Sequence, residues 1–214
     1  MPFLFPMNLL SAVEAHVRAH YEAHFPAELC YHDIAHTERV VRACNIICDH
    51  CEVDEQMRQH LLVASWFHDA GYFAGAEGHE QRSAALARTF TQAHAEASLN
   101  PDELERLILA TSVHHTPTDL AERIISDADL HYLGQTAFFE HGDLLRREWD
   151  FYSETPLTDE QWYRTNIGFL EHHTYYTPFA QRTYGPAKYY NLKAITRRLE
   201  HLLAAADSPD ADRV

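Results

Sequence analysis

The sequence predicts an all-α protein. Three observations carry that prediction: apolar residues recur at helical spacing along nearly the whole 214-residue chain, β-branched alternating runs are few, and only seven glycines serve turns. The length suits one compact domain that buries a core without disulfides or a structural metal. Residues 1–206 are therefore expected to form a single bundle of about eight to ten helices, with the small, polar stretch 207–214 as a frayed tail.

Each element has its own signal. Ser11-x-x-Glu14 reads as a capping box inside or at the start of a first helix ending near His24. A second helix runs from about Asp33 to His50, and Asp54 caps a third that carries Leu61, Leu62, Ala64, Ser65 and Trp66 into His68 and Asp69. Gly71 and the turn-rich residues through Gly78 stop that helix, leaving the His-Asp pair at its end beside a loop. A fourth helix spans about His79 to Ala97. Asn100-Pro101-Asp102-Glu103 starts a fifth, with Asn as cap, Pro at the first helical position and acids in the first turn, and this helix is expected to end at His114-His115 before Thr116-Pro117. A sixth carries Ile124 and Ile125 into Asp127 and Asp129 and is closed by Gly134. Helices follow over about Gln135 to Tyr152, Thr158 to His173 with Thr158 as cap, and Pro186 to Ala206. No repeat or linker divides the chain.

Composition narrows the partners. A formal net charge of −15 argues against duplex nucleic acid and anionic membrane surfaces, which need excess Lys and Arg, but leaves an anionic small substrate open because a bound dication inverts the local field. The four cysteines, Cys30, Cys44, Cys48 and Cys51, include one Cys-x-x-Cys and no second. Cys44, Cys48 and Cys51 fall at helical spacing beside Val40, Val41 and Ile47, so they read as core thiols, and the expected location is the reducing cytoplasm. The apolar start from Met1 to Met7 lacks a basic segment and is broken by Pro2 and Pro6, so no signal peptide is expected, and no apolar run approaches the roughly 20 residues of a membrane span.

The chemistry lies in the histidines and aspartates. The chain has 17 His, as many as its Lys and Arg together, and three groups stand out: Tyr31-His32-x-x-x-His36, Phe67-His68-Asp69 and Asp127-Ala-Asp129. Imidazole and carboxylate together suit a divalent first-row metal. His32 and His36 share one side of a helix start, which is equally a pattern for a solvated first turn. His68 and Asp69 diverge by about 100° on a helix, so both reach one ion only near the helix end. Asp127, beside Ile124 and Ile125, sits at the edge of a buried face where a lone carboxylate is costly and a metal would relieve it. The alternative is that one of Asp127 and Asp129 caps a turn while the other pairs with a basic residue.

In order and context, Tyr-His-x-x-x-His-Thr, then Trp-Phe-His-Asp-Ala-Gly-Tyr, then Ile-Ile-Ser-Asp-Ala-Asp-Leu-x-x-Leu-Gly resembles the HD superfamily of metal-dependent phosphohydrolases over most of the chain. Glu80-x-x-Ser83-Ala84, Leu109-Ala-Thr-x-x-His114, Leu145-Arg146-x-Glu148-Trp149 and Lys188-x-x-Asn191-Leu192 are similar to its small stand-alone members. The resemblance implies an HD-type helical bundle in which His36, His68, Asp69 and Asp127 bind a first metal and Asp129 lies behind them or serves a turn. It implies a leaving-group role for His32, although Asp33 stands where those relatives have Asn. His79, His114 and His115 are the candidates for a second metal. Metal-dependent hydrolysis of a phosphoester follows, on a nucleotide or other small phosphorylated metabolite. Asp69 would be shared if two ions bind, Glu80 would orient water, and His32, His114 or His115 would protonate the leaving group or stabilise developing charge. The ligand types do not separate Mn, Fe, Co, Mg, Zn and Ni.

Two rival readings remain open: a mixed-valence di-iron oxygenase acting on a small polyol or phosphonate, and a regulatory module that binds a nucleotide without turning it over. Arg146, Arg147, Arg164, Arg182 and Lys188 lie nearest the distal motifs, and of these Arg146 and Lys188 are the candidates for a substrate phosphate. His172, His173, Tyr175 and Tyr176 either line a pocket or pack inward at a helix end. Oligomeric state is not legible in the sequence.

Overall fold

The structure is a computed structural model and describes residues 8–94 and 98–206. Among these residues the chain forms ten α-helices and no strand, as expected. The apolar start Met1 to Met7, the far end of the fourth helix at 95–97 and the polar tail 207–214 lie outside the described residues. No described helix is long and apolar enough to cross a membrane.

The helices group into two compact units, Met1–His131 and Tyr132–Val214. The first contains α1 (Asn8–His24), α2 (Ile34–Asp49), α3 (Glu55–Phe67), α4 (His79–Ala93), α5 (Pro101–Leu109) and α6 (Leu120–Asp129). Its centre is α3, where every residue from Gln59 to Phe67 is buried. A helix apolar on all sides must be surrounded, and α3 packs on α1, α2, α4, α5 and α6. The His-Asp pair at its C-terminal end is therefore delivered into the core.

Caps fix the ends of these helices. Asp33 accepts the His36 amide at 2.7 Å, Asp54 accepts that of Met57 at 2.7 Å, and Asn100 and Asp119 cap α5 and α6. Asp33 is thus a cap rather than the first residue of α2, and Ser11 lies within α1 rather than at its start. Helix α5 ends at Leu109, short of the expected His114-His115. The amides of Thr111 and Ser112 bond three residues back, tightening the chain into turns, while the Ala110 carbonyl accepts from Ser126 Oγ at 2.9 Å.

The second unit holds α7 (Phe138–Tyr152), α8 (Asp159–His172), α9 (Pro178–Thr183) and α10 (Gly185–Ala206), with α10 packing on both α8 and α9. Thr158 forms the expected cap as a full capping box with Gln161. Helix α9 was not expected from periodicity, yet its local signal is plain: Thr177 caps it and Pro178 takes the first turn. Gly134 lets the chain pass under Tyr184, since a Cβ there would stand 2.3 Å from the Tyr184 carbonyl oxygen.

Candidate metal centre

Three helix ends meet at one point in the first unit. His36 comes from the first turn of α2, His68 and Asp69 from the end of α3, and Asp129 from the last residue of α6. His36, His68 and Asp69 are all buried and offer ligand atoms close enough to share an ion. Asp69 Oδ2 stands 3.2 Å from His36 Nε2 and 3.1 Å from His68 Nε2. Asp129 Oδ1 faces the same nitrogens at 3.4 and 3.5 Å, and the two Nε2 atoms are 3.3 Å apart.

These separations suit a metal. Donor atoms held about 2.1 Å from a common centre stand about 3.0 Å apart at octahedral and about 3.4 Å apart at tetrahedral angles. Orientation fits as well. His68 Nδ1 lies 2.8 Å from the Ser65 carbonyl, which can only accept, so Nδ1 carries the proton and Nε2 presents its lone pair inward. The side chains of His68, His36 and Asp69 are 1, 4 and 6% exposed and that of Asp129 is 17%, so the group opens on the Asp129 side.

The electrostatics show what the group lacks. Burial draws the imidazoles of His36 and His68 down, but the charges and hydrogen bonds of Asp69 and Asp129 outweigh it and raise both. Burial pushes the two carboxyls up, yet the facing imidazoles hold them well below the usual carboxylate range. Two carboxylates in a nearly closed space need positive charge, and a dication supplies it without requiring either ring to be protonated.

The structure brings Asp129 against the imidazoles. Two residues apart on a helix the side chains point about 200° apart, so only one can face a given site. Asp127 is fully buried on the other side of α6, where its charge acts on the Cys51 thiol. Asp129 thus stands beside the imidazoles, where the sequence reading expected Asp127.

The remaining candidates divide. His79, the first residue of α4, lies beside Asp69: its Nε2 is 3.4 Å from Asp69 Oδ1, and its Nδ1 is 2.7 Å from the Ala76 carbonyl. Glu80 stands beside it, Oε2 3.5 Å from His79 Nδ1. His115 is committed elsewhere, 3.0 Å from Glu122 Oε2 in a network with Arg106 and Thr118, and His114 is an exposed residue of the turn after α5. His32 lies at the rim, stacked on Tyr72 with ring centroids 3.7 Å apart and edge-on to His36 at 5.9 Å. Asp33 behind it caps α2, a task that Asn performs equally, so the departure from the Tyr-His-Asn pattern is structurally neutral.

Tyr72 had no assigned part, yet its ring bridges His32 and His79, which is 4.9 Å away. Its position directly after His-Asp-Ala-Gly was the available signal. Gly71 is equally specific: a Cβ there would stand 2.4 Å from the His79 carbonyl oxygen and 2.6 Å from the Ser83 amide nitrogen, so its absence sets the approach of α4 to the His-Asp turn. The Gly71 amide donates to Ser83 Oγ at 2.8 Å, and Arg82 bonds the carbonyls of Gly71, Gly75 and Glu77. These bonds lock the loop and His79 with it. The cysteines are all free; Cys44 and Cys48 are buried on α2 and Cys30 and Cys51 half-buried.

In the second unit Arg146 is used structurally, 2.7 Å from Asp159, 2.9 Å from the Leu157 carbonyl and beside the Trp162 ring. Lys188 reaches His173 rather than any carboxylate among the described residues.

Fold and site together define a helical protein with a buried group able to hold a metal. Compared with known proteins, the chain matches no family model, no curated protein and no solved structure.

Proposed function

We propose that this protein is a metal-dependent phosphohydrolase of the HD type. The observation that carries this reading is the convergence of the buried His36, His68 and Asp69 at distances fit for one ion, with Asp129 Oδ1 facing both imidazoles, from the motif positions whose order resembles that superfamily. A divalent cation held there supplies Lewis acidity towards a phosphoryl oxygen and a water of lowered pKa. The chain supplies the rest. Asp69 presents a second oxygen to His79, Glu80 adds a carboxylate for orienting water, and His32, fixed against Tyr72 at the rim, is placed to hand a proton to a leaving oxygen.

The test is elemental analysis of protein purified without chelator, with Asp69→Ala as control, followed by assay against a panel of phosphomonoesters and diesters with Mn²⁺, Fe²⁺, Co²⁺ and Mg²⁺. Bound metal lost in Asp69→Ala and hydrolysis of at least one ester support the reading. Unchanged metal in that variant overturns it, and nucleotide binding with no hydrolysis in the panel gives the regulatory reading instead.

The approach of His79 to Asp69 favours keeping the di-iron oxygenase as a second reading, because that chemistry needs two occupied sites bridged by one carboxylate. One metal per chain would exclude it.

A further inference from the structure

The second unit contains a cavity of about 440 Å³, in the size range of small-molecule sites, lined by Leu170, Tyr175, Tyr189 and Leu192 together with His173 and Lys188. Its polar end is unusual for a chain of net charge −15. The half-buried Lys188 ammonium has no carboxylate partner among the described residues. It bonds the His173 carbonyl, which closes the end of α8, and approaches His173 Nδ1 at 3.3 Å, with the Tyr175 ring 6.0 Å away. An ammonium has three donors. Two are taken by His173, and the third has no acceptor among the described residues.

His173 is arranged to keep it so. Burial, aided by the Lys188 charge, pushes its imidazole down to about 4, so at neutral pH the ring is uncharged and Nδ1 accepts. The proton then resides on Nε2. Burial also lowers the Lys188 amine. Tyr189, 53% exposed, and the buried Tyr175 and Leu170 supply flat apolar surface. Glu171 also lines this cavity, and its exposed carboxylate disfavours a dianion.

We propose that this cavity is a binding site for a small organic monoanion, a carboxylate with a flat apolar body, whose charge is received by Lys188 and whose body lies against Tyr189 and Tyr175. The site is built without any residue of the metal group.

Titration calorimetry on the full, metal-replete chain tests this with benzoate, its neutral isostere benzamide and inorganic phosphate. One benzoate per chain is expected, with benzamide and phosphate at least about tenfold weaker. Lys188→Met, which keeps the stem and removes the charge, should weaken benzoate about tenfold or more and abolish the preference over benzamide, while Lys188→Arg retains part of it. Tyr189→Ala, an exposed position that does not threaten folding, should weaken benzoate and benzamide alike. Asp129→Asn should leave benzoate binding unchanged, which separates this cavity from carboxylate capture by a bound metal. No benzoate binding up to about 10 mM, equal binding by Lys188→Met, or loss of binding in Asp129→Asn would each overturn the proposal.

Discussion

His36 and His68 in the first unit are buried and His173 in the second is half-buried, yet their basicities move in opposite directions. Burial lowers each. Around His36 and His68, Asp69 and Asp129 reverse that effect and raise the rings above their ordinary value of 6.5, whereas His173 has Lys188 beside it and falls to about 4. What separates the two places is the pair of carboxylates that outweighs burial at His36 and His68, whereas at His173 burial is the larger cause and the Lys188 charge adds to it. One is a pair of carboxylates facing two imidazoles, a group that could hold a cation. The other is a neutral ring and an ammonium, short of an anion.

The largest expected effect breaks the first half of that comparison. Asp129→Asn removes one of the two carboxylate charges and should lose most of its metal at a concentration that saturates the unaltered protein, while Asp127→Asn should retain it; mass spectrometry of metal content after desalting reads both. The opposite pattern would return the ligand role to Asp127. Stripping the ion with a chelator should lower stability by roughly 3–4 kcal/mol if the ion was present at several hundred times its dissociation constant, and should leave two carboxylates without their counter-charge. A thermal melt with and without chelator measures this.

Next in size are two glycines, one in each unit. Gly71→Ala and Gly134→Ala each force a Cβ to within 2.6 Å of packed backbone, at φ −86° in the case of Gly71, so the cost there is steric rather than conformational. Overpacking of this kind costs typically 1–3 kcal/mol. The pair sharpens the contrast because only Gly71 holds α4 against the metal group. Gly71→Ala should lose stability and metal affinity together, and Gly134→Ala stability alone. Equal metal affinity in both variants would show that the approach of α4 does not matter to the site.

How much of this was legible beforehand depended on the range of the physics involved. The caps at Asp54, Asn100 and Thr158 are local hydrogen bonds and were readable from a few residues. So was the all-α class, because periodicity is local. The choice between Asp127 and Asp129 was not, since α6 carries both and its rotation is set by how Ile124 and Ile125 bury against other helices. Asp127 lay nearer the apolar run and looked the better buried, which it is; the place beside the imidazoles went to the more open neighbour. The adjacent His114 and His115 showed the same limit: a pairing with Glu122 seven residues away on the next helix decided the place of His115. Arg146 was legible as a cation but not as one already paired with Asp159.

A smaller effect comes from Glu122, where a buried carboxylate is satisfied within the protein rather than by an ion. Burial raises its pKa, but His115, the Thr118 amide and hydroxyl, and Arg106 outweigh this and bring it from 4.5 to about 2. A depressed carboxyl pKa gives stability that is complete above the unfolded value and is lost as pH falls from about 4.5 through about 2. The contribution is roughly 2–3 kcal/mol. Glu122→Gln should lower urea stability at pH 7 by a similar amount and flatten the loss between those pH values, with metal content unchanged. A variant as acid-sensitive as the parent would show that the network is not the source.

The smallest effect tests the second half of the comparison without any ligand. A histidine whose folded pKa is depressed favours the neutral form, so its stabilising effect is complete above 6.5 and declines as pH falls through that value towards about 4. The ring is partly exposed, which reduces its worth to about 1–2 kcal/mol. Other buried histidines, His131 among them, titrate in the same range, so the quantity to measure is the difference between the parent and His173→Leu in urea stability at pH 7 and at pH 4.5. Leucine cannot gain the proton, and the variant should lose less stability over this interval than the parent. Lys188→Met should act in the same sense but more weakly, because burial, not the ammonium, is the larger cause of the depression. If Lys188→Met removed the whole pH-dependence, charge would dominate at His173 as it does at His36 and His68, and the two places would differ only in the sign of their neighbours.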